Sequence, residues 1–156
     1  MPAANNNILR RLRYTFNFSD SKMISIFGNV GSTVTRAEVS AWLKKEDDPA
    51  FVECSDIKLA TFLNGLIIEF RGRQDKLLPP PEMRLNQNII LRKLKIALNL
   101  TTEDLIAIWA LVSVGVSPHE VTAFFRKPGH SRYRMCQDQL FRKFLMGLQL
   151  KYRKDD

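Results

Sequence analysis

Histidine and cysteine are scarce in this chain, two of each in 156 residues. So small a set of soft ligands and nucleophiles leaves little for a metal site or a catalytic triad, both of which need several convergent groups. Two cysteines are also too few for a disulfide framework, and reduced thiols with a cytoplasmic location are the expectation. No apolar run approaches the roughly 20 residues that cross a bilayer, and the N-terminus lacks the charged-then-apolar pattern of a signal peptide, so no membrane partner is expected. Alternating β-branched segments are absent, which excludes a sheet. Gly28 and Gly31 follow a helical segment and not a strand, so they fail the context a phosphate-cradling loop requires. No cofactor is expected.

What is present is a duplication. Leu91-Arg92-Lys93-Leu94-Lys95 falls on Leu9-Arg10-Arg11-Leu12-Arg13, 82 positions earlier and without a gap. In the same register Glu120-Val121 falls on Glu38-Val39, Cys136-x-Asp138 on Cys54-x-Asp56, and Phe144-Leu145-x-Gly147-Leu148 on Phe62-Leu63-x-Gly65-Leu66. Fixed-period self-similarity marks a repeat architecture. The expected fold is all-α: two tandem copies of a four-helix repeat, residues 1–78 (core 9–72) and 79–156 (core 91–154). A copy of this size is marginally stable alone, so the two are expected to pack into one body.

Residues 1–5 read as a short leader. Leu9, Leu12 and Phe16 line one face of a first helix, and Ser19 caps a second through Phe27. Thr35-x-x-Glu38 is a capping box opening a third, and Asp56 is expected to cap a fourth helix to about Arg71. That fourth helix is apolar nearly all round, which predicts burial between the repeats or in a homodimer or other protein contact. Residues 73–85, with Pro79-Pro80-Pro81, read as a stiff linker. The second copy replays the plan: helix one over 88–98, Thr101 or Thr102 capping helix two through Val112, Ser117-Pro118-His119-Glu120 as a second capping box, and Asp138 capping the last helix to about Arg153. Gly65 and Gly147 stand at the same place in the two long helices. They are expected to mark a close contact joining the repeats, since glycine lets a neighbouring backbone approach.

A set of longer motifs runs through both copies: Asn7-Ile8-Leu9-Arg10-Arg11-Leu12-Arg13-Tyr14, Gly28-Asn29-Val30, Trp42-Leu43-Lys44-Lys45-Glu46-Asp47 and Phe62-Leu63-Asn64-Gly65-Leu66-Ile67. They continue through Asn88-Ile89-Ile90-Leu91-Arg92-Lys93-Leu94, Pro128-x-His130, Cys136-x-Asp138-Gln139 and Phe144-Leu145-x-Gly147-Leu148. On these residues the chain resembles the YehS-like family of small bacterial proteins, a tandem domain of unknown function. The resemblance implies a bacterial, cytosolic protein of two helical repeats and carries over no catalytic residue.

The charge is +8, and it is uneven: 11 basic and 9 acidic residues stand before Pro79, against 13 and 7 from there on. A basic excess favours polyanions and equally describes a solvated surface. The segment 111–125 resembles a helix-turn-helix, with Gly115 as turn residue, Ser117 as cap and Val121 in the core. The second helix of such a motif would present His119, Thr122, Arg126 and Lys127 to nucleic acid. Arg132 and Arg134, and Lys44 and Lys45 of the first copy, complete the candidate set. His130, Cys136 and Asp138 can be drawn as base, nucleophile and orienter, but the first copy keeps the Cys and Asp without the His. A buried thiol and a helix cap explain them as well, so a non-enzymatic binding protein is expected. Two readings remain open: a nucleic-acid-binding or regulatory module, and a scaffold or homodimer using the apolar fourth helix.

Overall fold

A computed structural model describes residues 4–73 and 78–154. Eight helices follow in order: α1 (Ala4–Phe16), α2 (Asp20–Gly28), α3 (Arg36–Leu43), α4 (Asp56–Arg71), α5 (Gln87–Ala97), α6 (Thr102–Ala110), α7 (Pro118–Phe124) and α8 (Asp138–Tyr152). The described residues contain no strand, so the chain is all-α, and α1–α4 are repeated in order by α5–α8. Ala4 and Asn5 of the expected leader already belong to α1, and residues 1–3 lie outside the described residues. Residues 74–77 of the expected linker lie outside the described residues.

Local sequence sets most helix starts. Thr35 and Ser117 each accept a hydrogen bond from the third helical N–H while Glu38 and Glu120 reach back, and Thr101 does the same with Asp104. Each box is worth about 1 kcal/mol against an alanine cap. Asp56 and Asp138 are not caps, however. Ser55 caps α4, and Gln137 precedes α8 without a side-chain bond, which leaves both aspartates at the first helical position. A carboxylate there still suits the helix dipole. Each is also used laterally: Asp56 accepts from Asn5 Nδ2 (2.7 Å) and from the Leu85 N–H (2.8 Å), and Asp138 accepts from Gln87 Nε2.

The four long helices make the centre. α4 packs on α5 and α1 on α8, so each repeat gives its first and last helices to the other. A solenoid would join only the end of one copy to the start of the next. Here the second contact closes the pair, as in a two-fold interface where each partner uses the same patch. The hydrogen bonds obey the same exchange. Arg71 Nη1 donates to Ile96 O (3.2 Å) and Asn99 Oδ1 (2.8 Å). Arg153 Nη1, its counterpart 82 positions on, donates to Tyr14 O (2.7 Å) and Asn17 Oδ1 (3.4 Å), the counterparts of Ile96 and Asn99. Asn17 and Asn99 share a left-handed backbone, φ 54° in both.

α4 lies between α2 of its own repeat and α5 of the other, and Leu59, Phe62, Leu63, Leu66 and Ile67 are buried. Its apolar surface is therefore largely covered within one chain, against the reading of α4 as an outward-facing homodimer contact. A buried polar cluster crosses the α4–α5 seam. Lys93 Nζ donates to Asn64 Oδ1 (2.6 Å) and pairs with Glu82 (2.9 Å), while Asn64 Nδ2 reaches Pro79 O (3.3 Å). It ties the proline segment across the seam.

Gly65 and Gly147 mark close contacts, but inside each repeat. A Cβ on Gly65 would meet the carbonyl of Ile26 in α2, and one on Gly147 would meet that of Ile108 in α6. Ile26 and Ile108 are themselves repeat counterparts.

Candidate nucleic-acid interface

The α6–α7 pair departs from a helix-turn-helix. α6 ends at Ala110, short of Val112, and α7 spans only seven residues. The connection runs over 111–117, where the motif uses a turn of about three or four residues. Its left-handed residue is Ser113 (φ 62°), the counterpart of Gly31 (φ 75°); Gly115 has no positive φ and does not make the turn. A seven-residue α7 after a seven-residue connection lacks the length and the tight turn of a recognition helix.

His119 and Thr122 stand exposed on α7, though the Thr122 hydroxyl is occupied by Pro118 O (2.8 Å). Arg126 and Lys127 are not on the helix. They follow its cap, Phe125, and open the loop that carries Arg132 and Arg134. That loop is held on both sides. The Arg134 N–H donates to Ala123 O (3.2 Å), and Asn88, buried in α5, donates to Arg134 O (2.8 Å) and accepts from the Cys136 N–H (2.7 Å). The Arg134 guanidinium folds onto Ser131 O and Tyr133 O. From α5, Arg92 caps the end of α7 by donating to Phe125 O (2.8 Å), and Lys95 lies over the Phe125 ring.

The result is one basic surface: Arg92, Lys95, Arg126, Lys127, Arg132 and Arg134. None of the six forms an ion pair with a carboxylate among the described residues. Arg92 and Lys95 are not among the candidates read from the sequence, because the repeat pattern marks them only as the polar side of a helix.

Lys44 and Lys45 are not brought there. They occupy the matching place after α3, which rests on α1 and α2, whereas α7 rests on α6. Lys44 O accepts from Arg10, the counterpart of Arg92, so this arginine cap is a structural feature of both repeats. Beyond the two lysines the copies diverge. Residues 46–53 carry Glu46, Asp47, Asp48 and Glu53, where 128–135 carry Arg132 and Arg134. The same scaffold therefore displays an acidic loop in one repeat and a basic loop in the other.

Asn6 matches Asn88 and was also missed in the sequence. It is buried and donates to Trp42 O and Val52 O (2.9 Å each) while accepting from the Cys54 N–H (2.9 Å). Its signal lay in the 82-residue register, extended three residues before Leu9.

The drawn catalytic trio is not assembled for nucleophilic chemistry. His130 is exposed, its Nδ1 accepting from the Arg132 N–H (3.0 Å). Burial pushes both cysteine thiols up to about 12. Neither thiolate is populated near neutrality, so both should resist a thiol-reactive probe at pH 8 in the native state and react on unfolding. Rapid labelling of either in folded protein would contradict this environment. The unfolded chain ionises its thiols from about 9.0, below the folded value. These two groups therefore remove stability as pH rises through that window, because the unfolded state then binds fewer protons. No group of three His, Cys, Asp or Glu able to hold a metal occurs among the described residues.

A groove of about 870 Å³ crosses the junction of the repeats, lined by matched pairs including Asn5 with Gln87, Ile8 with Ile90 and Asp56 with Asp138. Arg10, Arg11 and Arg142 face Glu53, Asp56 and Asp138 in it, so it offers no single-sign field. The basic surface of the second repeat does.

An all-α tandem repeat whose two copies share caps, glycine contacts and buried asparagines defines a class of duplicated helical proteins. The profile of the family described as Protein of unknown function (DUF1456) matches residues 5–72 and again 87–154, the same 82-residue register. The chain belongs to that family. It is similar to the Uncharacterized protein YehS of Escherichia coli (strain K12), 43% identical over 145 residues that cover 92% of each chain. No solved structure matches it. No helix among the described residues is long and apolar enough to cross a membrane.

Proposed function

We propose that this protein is a non-enzymatic binding module that holds nucleic acid on the basic surface of its second repeat. The observation that carries the reading is six basic side chains, without carboxylate partners among the described residues, gathered around the end of α7. The equivalent loop of the first repeat is acidic, which gives the molecule one attractive and one repulsive end for a polyanion. Unpaired surface cations keep their counterions until a phosphate replaces them, and the release of those counterions drives binding.

Retention on immobilised heparin or DNA, titrated with salt, tests the reading. Binding should weaken steeply as salt rises. The double substitution Arg126→Ala with Lys127→Ala should lower the log–log slope on duplex DNA by roughly 2, about 0.9 for each phosphate that is no longer neutralised. Lys44→Ala with Lys45→Ala, beside the acidic loop, should leave the slope unchanged. Equal effects of the two pairs, or no retention by the parent protein at low salt, would overturn the proposal.

A further inference from the structure

Beside the basic surface lies a second feature, a slot of about 510 Å³ between the α6–α7 connection, the loop before α8 and the start of α8. That size falls within the roughly 300–1,000 Å³ of small-ligand sites. Its floor is apolar: Val114, Met135 and Leu140 are half-buried, with Phe124 5% exposed among them. The floor is held in place, since the Trp109 indole N–H donates to Leu140 O (2.9 Å) from the core. Arg134 and Lys143 stand on the rim together with the amides of Gln137 and Gln139 and one carboxylate, Glu120, which accepts from the Ser117 N–H (3.1 Å) in the capping box of α7. Gln139 is exposed and has no hydrogen-bond partner among the described residues.

The first repeat does not build this lining. Ser32, Glu53 and Lys58 occupy the places of Val114, Met135 and Leu140, and Val52 and Thr61 those of Arg134 and Lys143. An apolar floor and a rim of two cations against one carboxylate thus occur together, in the repeat whose loop is basic. Amide side chains beside them supply the donor and acceptor pair that reads a base edge.

We infer that the slot receives an unstacked base of a single-stranded nucleic acid whose phosphates lie on the adjoining basic surface. This deepens the nucleic-acid reading and rests on it. Duplex bases are stacked and unavailable, while a single strand can splay a base onto an apolar floor and keep its backbone on arginine and lysine. The short α7 and its long connection to α6 suit this mode better than insertion into a major groove.

The test compares one mixed-sequence oligonucleotide as single-stranded RNA, as single-stranded DNA and as a DNA duplex, by fluorescence anisotropy at fixed salt, with heparin as a base-free polyanion. At least one single-stranded form should bind the parent protein roughly tenfold or more tighter than the duplex, the gain expected from one seated base. Val114→Ser with Met135→Gln makes the floor polar without changing charge; the first repeat already tolerates polar residues at both places. This variant should lose the single-strand preference and keep its affinity for heparin. Equal binding of single strand and duplex by the parent protein would sink the slot and leave the basic surface standing. A single-strand preference that survives the double substitution would also sink it. Failure of the parent protein to bind any of the four probes would overturn both proposals.

Discussion

Gly147→Leu should destabilise the protein by roughly 3 kcal/mol or more, and Gly65→Leu by a similar amount. A Cβ on Gly147 would stand 2.7 Å from Ile108 Cγ2 and 3.1 Å from its carbonyl carbon, with the oxygen nearer still. On Gly65 it would stand 2.9 Å from the carbonyl carbon of Ile26. The obstacle is backbone near the end of a helix, not the tip of a flexible side chain. Relief therefore requires α6 to separate from α8, or α2 from α4, which opens the core around Trp109 and Phe144 or around Phe27 and Phe62. Even Gly147→Ala should cost about 2 kcal/mol, because a clash of roughly 3 outweighs the roughly 1 kcal/mol that alanine gains in helix propensity. For a chain of this size a loss of 3 kcal/mol lowers the melting temperature by about 6–12 °C. Urea or thermal unfolding decides the matter: a Gly147→Ala protein as stable as the parent would show that the two helices are not in backbone contact.

The second large effect is expected at Asn6. Asn6→Ala removes three hydrogen bonds and leaves Trp42 O, Val52 O and the Cys54 N–H without their partner. A buried backbone group stripped of its partner costs about 1–3 kcal/mol. Val52 is exposed and water can reach its side of the loop, so the total should be roughly 3 kcal/mol. Asn88→Ala removes two such bonds, to Arg134 O and from the Cys136 N–H, and should cost roughly 2 kcal/mol. The order, Asn6 above Asn88, is the discriminating outcome. Amide hydrogen exchange supplies a local readout: the Cys54 N–H should lose protection in Asn6→Ala, and the Cys136 N–H in Asn88→Ala. Asn88→Ala should also weaken heparin retention, because it frees the loop bearing Arg132 and Arg134, whereas Asn6→Ala loosens only the acidic loop. A reversed order, or unchanged exchange at both amides, would show that the asparagines do not clamp these loops.

Several features were legible in the chain because they are local or periodic. The capping boxes at Thr35 and Ser117 need only a hydroxyl and a carboxylate three residues apart. The burial of both cysteines and the all-round apolar character of α4 follow from the repeat register and from helical periodicity. Other features depend on which atoms meet across space. Asp56 and Asp138 look like caps in a linear reading. Ser55 takes the cap in one repeat and neither residue does in the other, because both aspartates are drawn to side chains at the starts of α1 and α5. The left-handed turn residue of the α6–α7 connection is Ser113, though Gly115 is the glycine. Backbone torsion there is set by how the chain returns from Trp109 to Val116, not by the residue with the greatest freedom.

By itself the sequence determined the duplication, the helical class, the helix order and the excess of positive charge in the second half. These are properties of spacing and composition, and they survive any arrangement of the helices. Only the tertiary structure decided that Gly65 and Gly147 serve contacts within a repeat, that the repeats close on each other through α4 with α5 and α1 with α8, and that Arg92 and Lys95 join the loop arginines. The physical reason is that a helix has several faces and a chain can pack them in more than one way. Burial of the apolar faces demands a partner without naming it. Complementary shape, such as the carbonyl of Ile108 resting where Gly147 has no side chain, selects which partner it is.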